Sequence, residues 1–336
     1  MQRKALALLS GGLDSTLALT LVKGMGIEVE AVQFRTPFND ADGRTVDETC
    51  AKLGVKLHHY YLGDEYLRLV EAPRHGLGAN MNPCIDCRVM MLEKAKGLAE
   101  EIGAVFFLTG EVLGQRPMSQ HRAAMRLIER EAGVEGLVLR PLCGGLLDPT
   151  KMEEEGVIDR KNLLDISGRR RLPQMELAEK LGIRDYTPPA GGCLLTDPEY
   201  ASRLRDYIRT DGTLTVQSAR LLKLGRHFRV SGARVVVGRN EDDNRELSEM
   251  ALDSRTSLEV EGYNGPTTLI IGPHPEAVEK AAALTVRYSD APKTESVWVA
   301  VIAGSMRSRV RTEAMGEDEI ESLRIVSRHA KGKAYH

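Results

Sequence analysis

A chain of 336 residues with 42% hydrophobic and 28% charged side chains is long enough for two cores and has the profile of a globular protein. The net charge of −2 argues neither for nor against nucleic acid, but 4% aromatic residues, with Trp298 the one tryptophan, exclude base stacking as the main device. The apolar run 5–9 is too short for a signal-peptide core, nothing approaches a membrane span, and five scattered cysteines exclude a disulfide framework, so a cytoplasmic location with no membrane partner is expected.

In chain order, residues 5–9 read as a first strand, followed by a glycine-containing loop and a helix over 16–25. Strands are expected at 28–34, 57–61 and 104–109, with helices at 45–53 and 93–102. Strands alternating with helices predict right-handed crossovers and a parallel sheet covered on both faces. Ligands of such sheets sit at the carboxyl ends of the strands, which places Ser10, Arg35 and Thr109 on one rim. Residues 146–192 are charged and read as helical, with Pro188-Pro189 as a stop, and a helix is expected from Asp197 to about Arg209. A boundary is expected at Thr210-Asp211-Gly212-Thr213, giving domains 1–210 and 211–336. Beyond it, 227–230 and 234–237 flank Ser231-Gly232-Ala233 as a hairpin, further strands are expected at 258–260, 268–271 and 297–302, and 276–285 reads as a helix. The second domain is therefore a smaller α+β unit.

Three features carry chemistry. Ser10-Gly11-Gly12-Leu13-Asp14-Ser15 joins the first strand to the first helix, where glycines admit a charged ligand and helix amides favour an anion. Asn82-Pro83-Cys84-Ile85-Asp86-Cys87 precedes a helix, and a third cysteine stands in Gly191-Gly192-Cys193-Leu194. Three thiolates suit an iron–sulfur cluster with one iron left open; a persulfide with a resolving thiol, or three structural thiols, are the competing readings. Cys50 and Cys143 read as bystanders. Local basic clusters lie at Arg169-Arg170-Arg171, over 220–229, and at Arg307, Arg309 and Arg311, which as a strand would present three charges on one face. His227 reads as a satisfied structural histidine.

Ser-Gly-Gly-Leu-Asp-Ser resembles the PP-loop of ATP pyrophosphatases, which implies an adenine nucleotide alpha hydrolase-like sheet with Ser10, Gly11, Gly12, Asp14 and Ser15 holding the pyrophosphate of ATP. With the cysteines, Thr109-Gly110-Glu111-Val112-Leu113-Gly114-Gln115, Ser119-Gln120 and Leu139-Arg140-Pro141-Leu142 are similar to the catalytic domain of 4-thiouridine synthetases (ThiI type). Asn82-Pro83-Cys84 and Gly192-Cys193 are similar to 2-thiouridine thiolases (MnmA type). The resemblance spans about the first two hundred residues. It implies ATP-dependent thiolation of a tRNA uridine, with ATP, Mg²⁺ and a cluster, expected as 4Fe-4S, for cofactors. Cys84, Cys87 and Cys193 would be both metal ligands and catalytic residues, with Asp14. Phe34, Gly110 and Gln115 join the nucleotide site, and Ser119 would face the nucleotide or the target base. Sulfide or a sulfur-donor protein would supply the sulfur.

Gly225-Arg226-His227-Phe228, Val237-Gly238-Arg239-Asn240 with Asn244, and Gly265-Pro266 resemble the NFACT-R RNA-binding module of ribosome rescue factors. The PP-loop starts at residue 10 with no THUMP domain ahead of it and no rhodanese domain follows, so the tRNA grip is expected from the second domain. Arg226, Arg229, Arg239, Arg307, Arg309 and Arg311 would contact phosphates. A homodimerisation or substrate-shielding role is the alternative for this domain. For the whole protein the alternatives are a PP-loop ligase acting on a small molecule and a non-catalytic RNA-binding factor.

Overall fold

The computed structural model describes residues 4–39, 43–183, 186, 192–251 and 255–325. The chain divides into two compact units, Met1–Asp197 and Pro198–His336.

The first unit runs β1 (Lys4–Leu8), α1 (Leu13–Gly24), β2 (Glu28–Arg35), α2 (Gly43–Leu53), β3 (Leu57–Tyr61), α3 (Asp64–Glu71), α4 (Cys84–Ile102), β4 (Ala104–Thr109), α5 (Arg122–Glu131), β5 (Val138–Leu139), α6 (Lys151–Glu154) and α7 (Leu172–Lys180). Its sheet has the order β3-β2-β1-β4-β5, and every pair is parallel, as the strand–helix alternation predicts. Ala5, Leu6, Ala7 and Leu8 are all buried because β1 is central and covered on both faces. Helix α4 begins nine residues before the expected 93, since Pro83 caps it and admits Cys84 and Cys87 to its first turn. It ends at Gly103, which adopts the left-handed φ of 72° that closes a helix without Cβ strain.

The charged stretch 146–192 is corrected: of its described residues only α6, α7 and two short 3₁₀ turns are helical. Gly156 and Gly168 take positive φ, and Pro149 precedes α6, so the chain turns repeatedly where its charge suggested one helix. The stop expected at Pro188-Pro189 lies outside the described residues.

The second unit runs α8 (Pro198–Thr210), α9 (Val216–Leu221), β6 (Arg226–Val230), β7 (Ala233–Val237), α10 (Glu241–Ala251), β8 (Thr256–Val260), β9 (Thr268–Ile271), α11 (Val278–Arg287), β10 (Val297–Ala303), β11 (Met306–Thr312) and α12 (Glu317–Leu323). The boundary expected at 210 stands at the far end of α8, which belongs to this unit. The sheet is antiparallel in the order β11-β10-β8-β9-β7-β6. Ser231 and Gly232 close the β6–β7 hairpin with φ of 48° and 85°, the conformation a tight two-residue turn requires. One sheet face packs Val235, Val237 and Ile270 against α11 through Ala281 and Leu284. On the other, Val236 and Leu269 meet Leu247 and Met250 of α10. No helix among the described residues is long and apolar enough to cross a membrane.

Candidate functional site

The rim of the parallel sheet forms as the strand order requires, with Ser10 following β1, Arg35 ending β2 and Thr109 ending β4. Gly11 has φ 77°, and a Cβ there would stand 3.0 Å from Val46 Cγ2, so the loop needs glycine on both counts. Gly12 caps α1 with no side-chain acceptor over the first-turn amides. Ser15 Oγ donates to the Gly12 carbonyl at 2.9 Å and accepts from the Ser10 amide at 3.4 Å, which folds the loop over the helix start. Asp14 accepts from Gln115 Nε2 at 2.9 Å through Oδ2, while its Oδ1 is buried and has no hydrogen-bond partner among the described residues. That free acceptor fits a cation accompanying polyphosphate.

Gly110 brings β4 against this loop. A Cβ on it would lie 2.4 Å from both Asp14 C and Ser15 N, backbone atoms that cannot step aside. Gly110→Ala is therefore expected to displace the first turn of α1 and to destabilise the unit by about 1–3 kcal/mol, the usual cost of overpacking. A thermal melt with and without ATP measures both effects; an unchanged melt and an unchanged ATP response would show that the loop is not held from this side.

The cysteines meet at one corner of the rim although they are far apart in sequence. Leu194 N donates to the Phe38 carbonyl just after β2 (2.9 Å), and Met81 N donates to the Leu195 carbonyl (3.1 Å), so Cys193 is pinned between these two loops. Cys84 and Cys87 occupy the first turn of α4, with Asn82 Nδ2 3.2 Å from Cys84 Sγ and the Tyr66 hydroxyl beside Cys87. Asp86, between the two cysteines, accepts the Arg74 and His75 amides at 3.2 and 3.0 Å and holds the helix start to the preceding loop. Burial, then the neighbouring Cys87 charge, push the Cys193 thiol up to about 12, and burial raises Cys87 as well. All five cysteines are free thiols. Among the described residues no group of three or more His, Cys, Asp or Glu side chains is gathered to hold a metal ion, so the expected ligands Cys84, Cys87 and Cys193 share a corner rather than a finished ligand cage. Their chemistry nevertheless fits a cationic iron centre: besides burial, the neighbouring cysteines oppose ionisation of Cys87 and Cys193, and iron charge removes that opposition.

One loop joins the two halves of the site. Residues 110–120 carry Gln115 to Asp14, and Met118 Sδ lies 3.9 Å from the same Asn82 amide that reaches Cys84. Beneath it, buried Glu111 accepts from Arg140 Nε at 3.0 Å and pairs with Arg88 Nε at 3.4 Å, while Arg140 Nη1 reaches Glu129 at 2.5 Å. Burial pushes the Glu111 carboxyl up, but Arg88 and Arg140 outweigh it and hold it below the usual range. Arg88 directly follows Cys87, so this network anchors α4 to the sheet. Phe34 is buried near the end of β2 with its ring 5.7 Å from that of Tyr60. Ser119 is buried in the connecting loop. Cys143 is buried and donates to the Glu111 carbonyl, and Cys50 sits in the core of α2, both as bystanders.

In the second unit the arginines separate into two kinds. Arg307, Arg309 and Arg311 alternate along the edge strand β11, opposite Ile302, Ala300 and Trp298 of β10, and share one face. Among the described residues none of the three is in an ion pair. Arg309 lies 4.3 Å over the Trp298 ring, which is 40% exposed because α10 covers this face over β7 and β9 but not here. Arg229 and Arg239 are already paired. Arg229 is bound by Asp206 and Asp211 beside the fully buried Arg234, and Arg239 by Asp243 at 2.7 Å, so their charges are neutralised within the fold. Arg226 lies 4.6 Å over the Tyr288 ring and donates to the Gly238 carbonyl. His227 is structural: Nε2 donates to the Leu224 carbonyl, Nδ1 accepts from Arg234, and burial keeps the ring neutral.

Residues 1–153 match the family model described as thiamine biosynthesis protein (ThiI), and residues 225–324 match NFACT-R_2, described as the NFACT protein RNA binding domain. The first segment is thus similar to ThiI proteins and the second to the NFACT RNA-binding domain. The chain is 34% identical over 174 residues to the "Probable tRNA sulfurtransferase" of Methanothermobacter thermautotrophicus, covering 49% of this chain and 42% of that protein. The chain thus spans under half the length of that relative. It is 25% identical over 290 residues to the tRNA-specific 2-thiouridylase MnmA of Acidithiobacillus ferrooxidans, covering 80% of this chain and 78% of the relative. A crystal structure of a 4-thiouridine synthetase–RNA complex with bound ATP aligns at 26% identity over 54% of this chain and 52% of that one, with a TM-score of 0.34.

Sequence reasoning missed several neighbours of the site in the first unit. Tyr66 carries no motif signal at all. Arg88 stands beside the Cys-x-x-Cys, and Glu111 and Asn82 fall inside quoted motifs, so position alone marked them. In the second unit, Trp298 follows from the outward step in the alternation Val297-Trp298-Val299.

Proposed function

We propose that this protein is an ATP-dependent tRNA uridine thiolase of the transferase class. The observation that carries the reading is the convergence, on one sheet rim, of the Ser10–Ser15 anion loop and three thiols bridged by residues 110–120. ATP lies with its phosphates on the loop amides, and Asp14, whose Oδ1 has no partner among the described residues, would hold the Mg²⁺ that neutralises them. Gln115 orients Asp14, and Gly110 keeps the loop closed against β4. Phe34 lines the nucleotide side, and Ser119 faces the nucleotide or the base. A uridine carbonyl oxygen attacks the α phosphate, pyrophosphate leaves, and the base carries AMP. Sulfide then attacks the same ring carbon, the C–O bond breaks, and AMP departs with that oxygen. Where the donor is a cysteine persulfide, its outer sulfur makes that bond, and a second cysteine thiolate attacks the inner sulfur, breaking the S–S bond to release thiouridine and leave a disulfide. The loop amides stabilise the charge of the first step. Cys84, Cys87 and Cys193 handle the sulfur; a 4Fe-4S cluster held by them would supply an open iron able to bind it.

The experiment is anaerobic incubation with tRNA, ATP and sulfide, reading nucleosides by mass spectrometry and pyrophosphate in parallel. Thiouridine that needs both ATP and tRNA supports the reading. Pyrophosphate release indifferent to tRNA, with no thiolated nucleoside, sinks it in favour of a small-molecule ligase.

The tRNA is gripped through Arg307, Arg309 and Arg311 with Trp298 as a local stacking surface, and Arg226 at a second point. Replacing the three β11 arginines by alanine is expected to weaken tRNA binding across all sequences. It should also flatten the log–log salt dependence by roughly 2–3, one increment of about 0.7–0.9 per lost phosphate contact. Filter binding from low to moderate salt measures this; an unchanged slope would remove the stripe from the RNA interface.

A further inference from the structure

The Arg169-Arg170-Arg171 cluster has no role in the site described so far, yet the residues just before it are folded against the loop that carries Gln115. Ser167 bridges Leu113, the Gly168 amide donates to the Leu113 carbonyl at 2.8 Å, and Gly168 N would lie 3.5 Å from a Cβ on Gly114. The next residue, Gln115, holds Asp14 in the first turn of α1. Arg171 is the N-cap of α7, and α7 packs on α1, with Ala178 in the same core cluster as Leu13 and Leu17. Gln174, one turn N-terminal to Ala178 on that buried face, is 0% exposed.

Both amide atoms of Gln174, the Nε of Arg171 and Oδ1 of Asp14 are buried without a hydrogen-bond partner among the described residues. A buried polar atom left unpaired costs free energy, and these four belong to the first turns of two packed helices joined through Gly114 and Gln115. Arg169 and Arg170 are exposed nearby and in no ion pair among the described residues. We infer that Arg171, Gln174 and the α7 N-terminus form the second wall of the nucleotide site and bind the terminal phosphates of ATP, the part that leaves as pyrophosphate. Two helix N-termini and a guanidinium then share a charge that the Ser10–Ser15 loop alone would carry. The inference rests on reading that loop as an ATP site.

The test is calorimetric binding of ATP, pyrophosphate and AMP, with Mg²⁺, and of tRNA, to the full chain and to Arg171→Ala and Gln174→Leu. Arg171→Ala is expected to weaken ATP and pyrophosphate roughly 10- to 100-fold, as loss of a charge-assisted hydrogen bond does, and to leave AMP unchanged. Gln174→Leu removes an unpaired buried amide, so it should raise the melting temperature of the free protein while reducing the further rise caused by ATP. A purely structural Gln174 would lower the first or leave the second intact, which overturns its role. Wild-type ATP affinity in Arg171→Ala overturns the inference while the ATP site stands, and loss of tRNA binding alone assigns the cluster to RNA instead. A wild-type chain that binds neither ATP nor pyrophosphate overturns the ATP reading and this inference together.

Discussion

Serine at position 193 is expected to lower thiouridine formation by at least about 10³-fold while ATP-dependent pyrophosphate release persists, because it removes a sulfur nucleophile or ligand and leaves the anion loop untouched. Cys84→Ser and Cys87→Ser should fall to the same floor, and the double variant Cys84→Ser/Cys193→Ser should fall no further, since residues acting as one unit are not additive. The physical ground is the shared corner: the Cys193 thiol, pushed up to about 12 by burial and by the Cys87 charge, cannot be understood as an isolated side chain. At neutral pH without a cation the Cys193 thiol is protonated and should alkylate slowly, and iron binding should release protons. Nucleoside mass spectrometry, pyrophosphate assay and iron analysis on the three variants give the answer. Iron lost from all three with activity supports a shared cluster, and activity lost without iron in any sample supports the persulfide route. Normal thiouridine from Cys193→Ser removes the cysteines from the reaction.

The frame of this site was legible in the sequence, and its closure was not. Residues 5–9 followed by Gly11 and Gly12 announce a strand, a tight turn and an anion-binding helix start because each element leaves a local imprint. The outward face of Arg307, Arg309 and Arg311 was likewise written in their spacing. Nothing local tells that Cys193 joins Cys84 and Cys87, since that depends on the Leu194–Phe38 and Met81–Leu195 backbone bonds between loops. Charge spacing equally fails to say which arginines are already spent: Arg229 and Arg239 look as free as Arg307 until Asp206, Asp211 and Asp243 fold beside them. The stretch 146–192 misled for a related reason. Its charges suit a helix surface, but Gly168 is held left-handed where it meets Leu113, and that contact belongs to the site.

Arg140→Met is expected to be the most damaging substitution away from the cysteines. Arg140 is 4% exposed, joined to Glu111 and Glu129, and its removal strands a carboxylate in the interior. Breaking one side of a buried pair costs about 3–5 kcal/mol, roughly 10 °C or more in melting temperature for a unit of this size. The pH dependence distinguishes this cause from simple loss of packing. Glu111 is held below the ordinary carboxylate range in the folded chain, so its contribution is present above about 4.5, the unfolded value, and is lost as pH falls through the lower folded value. In Arg140→Met that contribution is missing at neutral pH, so the gap between variant and wild type should be widest there and narrow as acid neutralises Glu111. Thermal melts from neutral to acid pH measure the gap. A constant gap across that range would assign the cost to packing, and a small one would mean that Arg88 alone suffices to hold Glu111. In either melt, thiolation should fall more steeply than stability, because the same carboxylate fixes Arg88 and with it the helix turn that carries Cys84 and Cys87.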